Sequence, residues 1–302
     1  MRLTVLPFAL PAALALSGCA TIAPADDAPT TGRTLLFADE FDGTSLDRSK
    51  WQVIGPDFWV NNEQQAYVDR PDVLEVRNGS LVLTPRYAPG VDTNERRKAD
   101  FIAGRIESKG KFDFTYGRAE ARIRMPDAVG VWPAFWLLGN GPWPSTGEID
   151  IMEYVGEKDW IGVAMHGPKY SGETPFVDRF YFPPGEDATG WHVYAAEWKK
   201  DSVEFYIDDR LTYRVTRPMV EHYGNWVFDN PEHVIVNFAL GGAYPVKNNT
   251  AKQPTGQFSN AFNHLHFQTL PRKTSKPLSL RMTRPTPRRG LPRMSEMIAP
   301  VS

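Results

Sequence analysis

Between residues 35 and 270 short apolar runs alternate with clusters of turn-forming residues. This is the rhythm of strands, not of helices. Residues 73–76 (VLEV) and 80–83 (SLVL) flank Arg77-Asn78-Gly79, and the Asn-Gly pair predicts a tight hairpin. Residues 118–125 (RAEARIRM) alternate small or apolar side chains with charged ones, as a strand with one buried face does. Residues 193–198 and 202–207 surround Lys199-Lys200-Asp201, which predicts a second hairpin. Asp208-Asp209 then turns the chain into residues 211–215. Residues 233–240 (HVIVNFAL) form a strongly β-branched run. No amphipathic helix of ten or more residues is evident from 35 to 270, and no repeat of fixed period occurs. Many short strands at this spacing predict an all-β sandwich or barrel.

Composition narrows the class. The 302 residues carry 12% aromatics, nine Trp among them, with 26 Pro and 24 Gly, which suits strands, turns and stacking surfaces. A net charge of -2 excludes a globally basic nucleic-acid binder. The charge is nevertheless uneven. Residues 271–302 hold eight Lys/Arg and the single acid Glu296, so this end reads as a basic, solvated, disordered tail outside the sandwich. At the other end, Arg2 precedes an apolar stretch, residues 3–16, too short to span a membrane comfortably. Cys19 is the one cysteine of the chain, so no intramolecular disulfide can form.

The chemistry concentrates in residues 148–153 (EIDIME). Strict alternation puts Glu148 and Asp150 on one strand face and Ile149 on the other. Glu153 is out of phase by one residue. A β-bulge at Ile151-Met152 would return it to the same face. Two glutamates leaning together from such a strand can reach the roughly 5 Å separation of a retaining glycosidase. Like charges also raise one another's pKa, so a neutral acid and an ionised nucleophile can coexist. A solvated acidic edge is the plainer reading, but it leaves the apolar residues in between unexplained. A metal site is the other rival, and no His lies at ligand spacing in this stretch. No metal is therefore expected here.

Residues 143–153 (WPSTGEIDIME) resemble the signature of glycoside hydrolase family 16 in its bulged form, similar to that of laminarinases and of agarases and related galactanases. Residues 37–43 (FADEFDG), 61–67 (NNEQQAY), 104–106 (GRI), 116–122 (YGRAEAR) and 132–136 (WPAFW) also resemble laminarinase-like members. So do residues 166–168 (HGP), 191–194 (WHVY) and 237–242 (NFALGG). The resemblance covers about residues 35–250. It implies a jelly-roll β-sandwich whose concave sheet forms an open cleft for a polysaccharide. By position, Glu148 matches the nucleophile, Glu153 the acid/base, and Asp150 the residue assisting between them. Trp132, Trp136 and Trp143 precede this strand and could stack on sugar rings, although core packing is the alternative for each. Trp143 matches a cleft Trp. Asn61, Arg105 and Asn237 match positions that hydrogen-bond sugar hydroxyls, with a salt bridge inside the sheet as the other reading of Arg105. His166 matches a His near the acid/base, or is a structural His.

Residues 16–19 (LSGC) resemble the lipobox of bacterial lipoproteins, which implies cleavage before Cys19 and lipidation of its thiol. The implied plan is a signal peptide (1–18), a tether (19–34), the family 16 domain (35–270) and the basic tail (271–302). The protein would be lipid-anchored in a bacterial cell envelope. Its expected partners are a polysaccharide and, through the anchor, a membrane, but no nucleic acid, and it is expected to be monomeric. The family's closing strand, Val-Asp-Tyr/Trp-Val-Arg-Val, has no counterpart evident here. Its Asp, with residues matching Glu40 and Gly79, helps bind a structural calcium in many members, so no cofactor is expected to be required and calcium is in doubt. The expected activity is retaining endo-hydrolysis of β-1,3-glucan or mixed β-1,3/1,4-glucan. A non-catalytic β-glucan-binding protein, an agarase or galactanase, or a transglycosylase are the alternatives. Non-catalytic members typically lose the acids, whereas all three are present.

Overall fold

The structure, a computed structural model, describes residues 33–55, 60–93, 97–248 and 280–285. Cys19, the segment before it and the tether up to residue 32 lie outside these residues. Among the described residues eighteen strands occur, beginning with β1 (Arg33–Asp39), β2 (Gln52–Val53), β3 (Gln65–Tyr67), β4 (Leu74–Val76), β5 (Leu81–Leu83) and β6 (Arg86–Asp92). Next come β7 (Lys98–Ala103), β8 (Arg105–Glu107), β9 (Gly117–Ile123), β10 (Val131–Gly139), β11 (Glu148–Glu153) and β12 (Trp160–His166). The remainder are β13 (Val177–Tyr181), β14 (His192–Lys199), β15 (Ser202–Ile207), β16 (Arg210–Thr216), β17 (Glu232–Leu240) and β18 (Leu280–Pro285). The two helices among the described residues are short, α1 (Arg217–Glu221) and α2 (Ala243–Asn248). No helix among the described residues is long and apolar enough to cross a membrane.

Two large sheets dominate, with strand orders β1-β18-β9-β14-β15-β16 and β13-β12-β11-β10-β17-β8-β2. Their facing sides bury one apolar core that includes Phe135, Ile149, Met165, Trp198, Phe205 and Phe238. The expected alternation is visible in β9, whose odd positions Ala119, Ala121 and Ile123 enter this core. The predicted hairpins form as well. Asn78 and Gly79 adopt φ of 52° and 68°, the left-handed pair that a two-residue turn requires, and β4 pairs with β5. Asp208 and Asp209 are left-handed too, between β15 and β16.

The C-terminal segment departs from expectation. Residues 280–285 are no disordered tail but the strand β18, which lies between β1 and β9 and pairs antiparallel with both. The closing strand of the outer sheet is therefore present, with a sequence unlike the expected one. Met282 lies between Phe37 and Ala119 as cross-strand neighbours and is fully buried. Burying such a side chain contributes about 1.5–3 kcal/mol. Its alternation was hidden because Arg281 and Arg284 flank it in a basic, Pro-rich context. Without β18, β1 and β9 would each leave a row of unpaired backbone groups.

Candidate active site

The seven-stranded sheet carries the acids. Phe135 pairs with Met152 and Trp136 with Asp150, so Ile151 is the extra residue of a β-bulge. On the other side Asp150 pairs with Ala164 and Glu153 with Gly162, so that two residues of β11, Ile151 and Met152, oppose the single Val163 of β12. The bulge puts Glu153 on the face that Glu148 and Asp150 already share, while Ile149 and Ile151 enter the core. Gly147 (φ 84°) precedes Glu148, and a Cβ there would stand 2.9 Å from the Phe228 ring and 3.0 Å from Glu232 Oε1. Only glycine fits that approach.

The three carboxyls share a poorly solvated floor. Burial, then the nearby Asp150, pushes Glu148 up to about 8. Burial pushes Asp150 up as well, and its hydrogen bond with Glu148 holds it back. Burial and Asp150 raise Glu153, against the lowering effect of Trp132. The group therefore retains protons where ordinary carboxylates have lost them. The Trp132 indole donates to Glu153 Oε1 at 2.8 Å. His166, the cross-strand neighbour of Glu148, places Nε2 3.3 Å from Asp150 Oδ2 and 3.9 Å from Glu148 Oε1. The Trp143 indole hydrogen-bonds Glu148, and its half-exposed ring lies 6.4 Å from the His166 ring.

One rung crosses the sheet through Arg179, Gly162, Glu153, Ala134, Asn237 and Arg105, each the cross-strand neighbour of the next. On its β8 side the polar groups are tied to one another. The Trp136 indole donates to Asn237 Oδ1 at 2.8 Å, and Asn237 Nδ2 donates to the Tyr67 hydroxyl at 3.0 Å. Arg105 donates to Glu107 Oε1 from Nε and Nη2 at 2.8 and 2.6 Å and lies 5.0 Å from the Trp136 ring centroid. Beneath them Gln65 donates to Glu63 Oε2 at 2.7 Å.

A neutral acid and an anionic partner on one strand, under an aromatic wall, can cleave an acetal by two-step displacement. The comparisons agree in kind. The model for Glycosyl hydrolases family 16 matches residues 59–260. The chain belongs to this family. A beta-glucanase of Rhodothermus marinus is 36% identical over 227 residues, 70% of this chain and 76% of its own. Glucan endo-1,3-beta-glucosidase A1 of Niallia circulans is 30% identical over 72% of this chain and 35% of its own. The solved catalytic domain of an endo-1,3-beta-glucanase (laminarinase) from Thermotoga petrophila superposes with a TM-score of 0.72 at 29% identity. That alignment covers 84% of this chain and 99% of the other.

Within this family 16 sheet, Glu148, Asp150, Glu153, Trp132, Trp136, Trp143, His166, Arg105 and Asn237 converge on one face. Asn61 sits at its rim, where its carbonyl accepts from Ala243 N at 2.8 Å. Arg105 and Asn237 are buried and bonded within the sheet, so they hold Trp136 in place. The residues singled out from the sequence did not include Glu107, Tyr67, Trp160, Arg179 or Tyr244. The alternation of β8 and β13 could have marked Glu107 and Arg179, but Tyr244 comes from a loop-borne helix with no such signal.

Calcium does not fit the site that the resemblance implies. Beside Glu40, β18 brings a guanidinium instead of an acid, and Arg281 donates to Glu40 Oε1 from Nε at 3.1 Å and Nη2 at 2.9 Å. A divalent cation on that oxygen would face the positive charge at close range.

Proposed function

We propose that this family 16 chain is a retaining endo-glycosidase that hydrolyses internal β-glycosidic bonds of β-1,3-glucan or mixed β-1,3/1,4-glucan. The observation that carries the reading is the bulged strand that puts three raised carboxyls on one open sheet face. Glu148 gives up its proton toward Asp150, with which it is hydrogen-bonded, and its carboxylate attacks the anomeric carbon. Glu153, oriented by Trp132, protonates the departing oxygen as the glycosidic bond breaks. The glycosyl ester on Glu148 is then cleaved by water, whose proton Glu153 takes back. His166 Nε2 lies 3.3 Å from Asp150 Oδ2, within reach to orient that carboxyl beside Glu148. The polymer preference is supported by the names that the relatives carry, beta-glucanase and glucan endo-1,3-beta-glucosidase. The same reading places the mature protein on a bacterial envelope membrane through lipidated Cys19, as a monomer that needs no cofactor.

The test is incubation with laminarin, lichenan, agarose and xyloglucan, with products sized and the first-formed anomer read by NMR. Oligosaccharides from laminarin or lichenan, released as the β anomer, are expected. An α anomer would mean inversion and would overturn the role given to Glu148. Products from agarose alone would overturn the glucan reading. In Glu148→Ala, added azide should attack the vacated face and give the α-glycosyl azide, and in Glu153→Ala the β-azide.

A further inference from the structure

An endo-cleaving enzyme holds its polymer on both sides of the broken bond. Of the groups described so far beyond the acids, Trp136, Asn237, Arg105 and Asn61 lie toward β10, β17 and β8, while His166, with the Trp143 ring near it, stands on β12. Across β11 the same sheet continues through β12 to β13, its edge. Cross-strand neighbours point to one face. Val177 therefore shares the acids' face through Ala164 and Asp150, and Arg179 does so through Gly162 and Glu153. Tyr181, paired with Trp160, is the next position on that face. Val177 and Tyr181 are 53% and 57% exposed, and Phe180 turns the other way to pack against the core.

The surface is built for a polar ring with apolar faces. The Arg179 guanidinium lies 4.1 Å from the Trp160 ring centroid, and Trp160 is nearly fully buried beneath it. The Trp160 indole is itself fixed by Glu157 Oε2 at 2.8 Å. Stacking of this kind holds a guanidinium flat, with donors arrayed in its plane. Tyr181 adds an exposed aromatic face. Between Arg179 and Glu153 the rung holds only Gly162. The Tyr244 hydroxyl occupies the room so left, 3.0 Å from where a Cβ would stand, and its ring lies 5.5 Å from that of Trp132. An unbroken strip thus runs from Glu153 past Tyr244 to Arg179, two strand spacings or about 10 Å away.

We infer that Arg179, stacked on Trp160, together with Tyr181, Val177 and the Tyr244 hydroxyl, binds the departing half of the polysaccharide. Hydroxyls of the leaving sugars accept from Arg179 and Tyr244, and their apolar ring faces rest on Tyr181. The departing half is assigned to this side because Glu153, which protonates the leaving oxygen, opens onto it past a residue without a side chain. The inference rests on the retaining endo-glycosidase reading above. It gives Arg179 and Tyr181 a part in acceptor choice, because a sugar bound on the same strip can replace water on the glycosyl ester.

Two substrates separate the possibilities. Laminarin needs both halves of the cleft, whereas a nitrophenyl β-glucoside of laminaribiose has no sugar on the departing side. In Arg179→Ala and Tyr181→Ser, the ratio of kcat/KM on laminarin to kcat/KM on the nitrophenyl substrate should fall about tenfold, the effect of losing one contact worth about 1.4 kcal/mol. Transfer to added laminaribiose should fall relative to hydrolysis, and Arg179→Lys should restore little because the ammonium lacks the flat fork. Melting curves identify a variant that fails to fold, and the exposed Tyr181 keeps the test open if Arg179→Ala does. An unchanged ratio in a folded Tyr181→Ser and Arg179→Lys pair would overturn the inference, as would an equal loss on both substrates. A wild type inert toward both glucan substrates would instead overturn the function on which it rests.

Discussion

The acids that would perform the reaction are also a strain on the fold, and Glu148→Gln measures both effects. Burial and the neighbouring Asp150 raise Glu148 from 4.5 to about 8, so the folded chain keeps a proton that the unfolded chain releases. The unfolded state binds fewer protons than the folded one between these values. Stability conferred by the protonated form is therefore complete below about pH 4.5 and is lost as pH rises toward about 8. At 1.36 kcal/mol per pKa unit the ceiling on this loss is about 5 kcal/mol. Part of it is repulsion that Asp150 and Glu153 also feel, so one substitution should recover about 1–3 kcal/mol at pH 8. For a domain of this size that is a rise in Tm of roughly 3–10 °C. Gln keeps the volume and can still hydrogen-bond Asp150. Melting by differential scanning fluorimetry at pH 5, 6.5 and 8, beside laminarin assays, reads both effects. The variant should melt higher at pH 8, converge with wild type at pH 5, and lose about a thousandfold or more in kcat. A Tm equal to or below wild type at every pH would falsify the account of a desolvated, mutually repelling cluster, whatever the activity does.

Other substitutions probe neighbouring features. Trp132→Phe removes the donor to Glu153 Oε1, which lowers that carboxyl's pKa, so the alkaline limb of kcat/KM should move up by about half a unit or more; an unmoved or lowered limb would refute that role. Glu232 is fully buried beneath Gly147, neither of its oxygens has a hydrogen-bond partner among the described residues, and burial raises its carboxyl. Glu232→Leu should therefore stabilise by about 1–3 kcal/mol in urea titrations at pH 8, and a loss of stability would show an unrecognised partner. Arg281→Ala should destabilise by about 1 kcal/mol. Millimolar calcium or EDTA should leave the wild-type Tm in place, and a calcium-dependent Tm would reverse the reading of the Arg281–Glu40 pair. Cys19→Ser should move the expressed protein from the membrane fraction to the soluble one, and identical fractionation of both forms would remove the lipid anchor.

The period-two pattern of β9, the β-branched run of β17, the Asn78-Gly79 turn and the Glu148–Glu153 acids could be read from the sequence because each is a local signal. A strand face or a left-handed turn depends on residues a few positions apart. Even the bulge at Ile151 was legible, because three acids out of phase by one residue cannot otherwise share a face. The same local reading failed at β18. Leu280 and Met282 carry too little apolar signal to stand out among basic residues and prolines, and only the open slot between β1 and β9, formed by chain more than 150 residues earlier, makes a strand of them. The rung from Arg105 to Arg179 is likewise tertiary. It assembles from six separate strands, so no spacing in the sequence announces it. The sequence marked the candidate acids, and the tertiary structure decided which buried partners hold them, which cation sits on Glu40, and which side chains share their face.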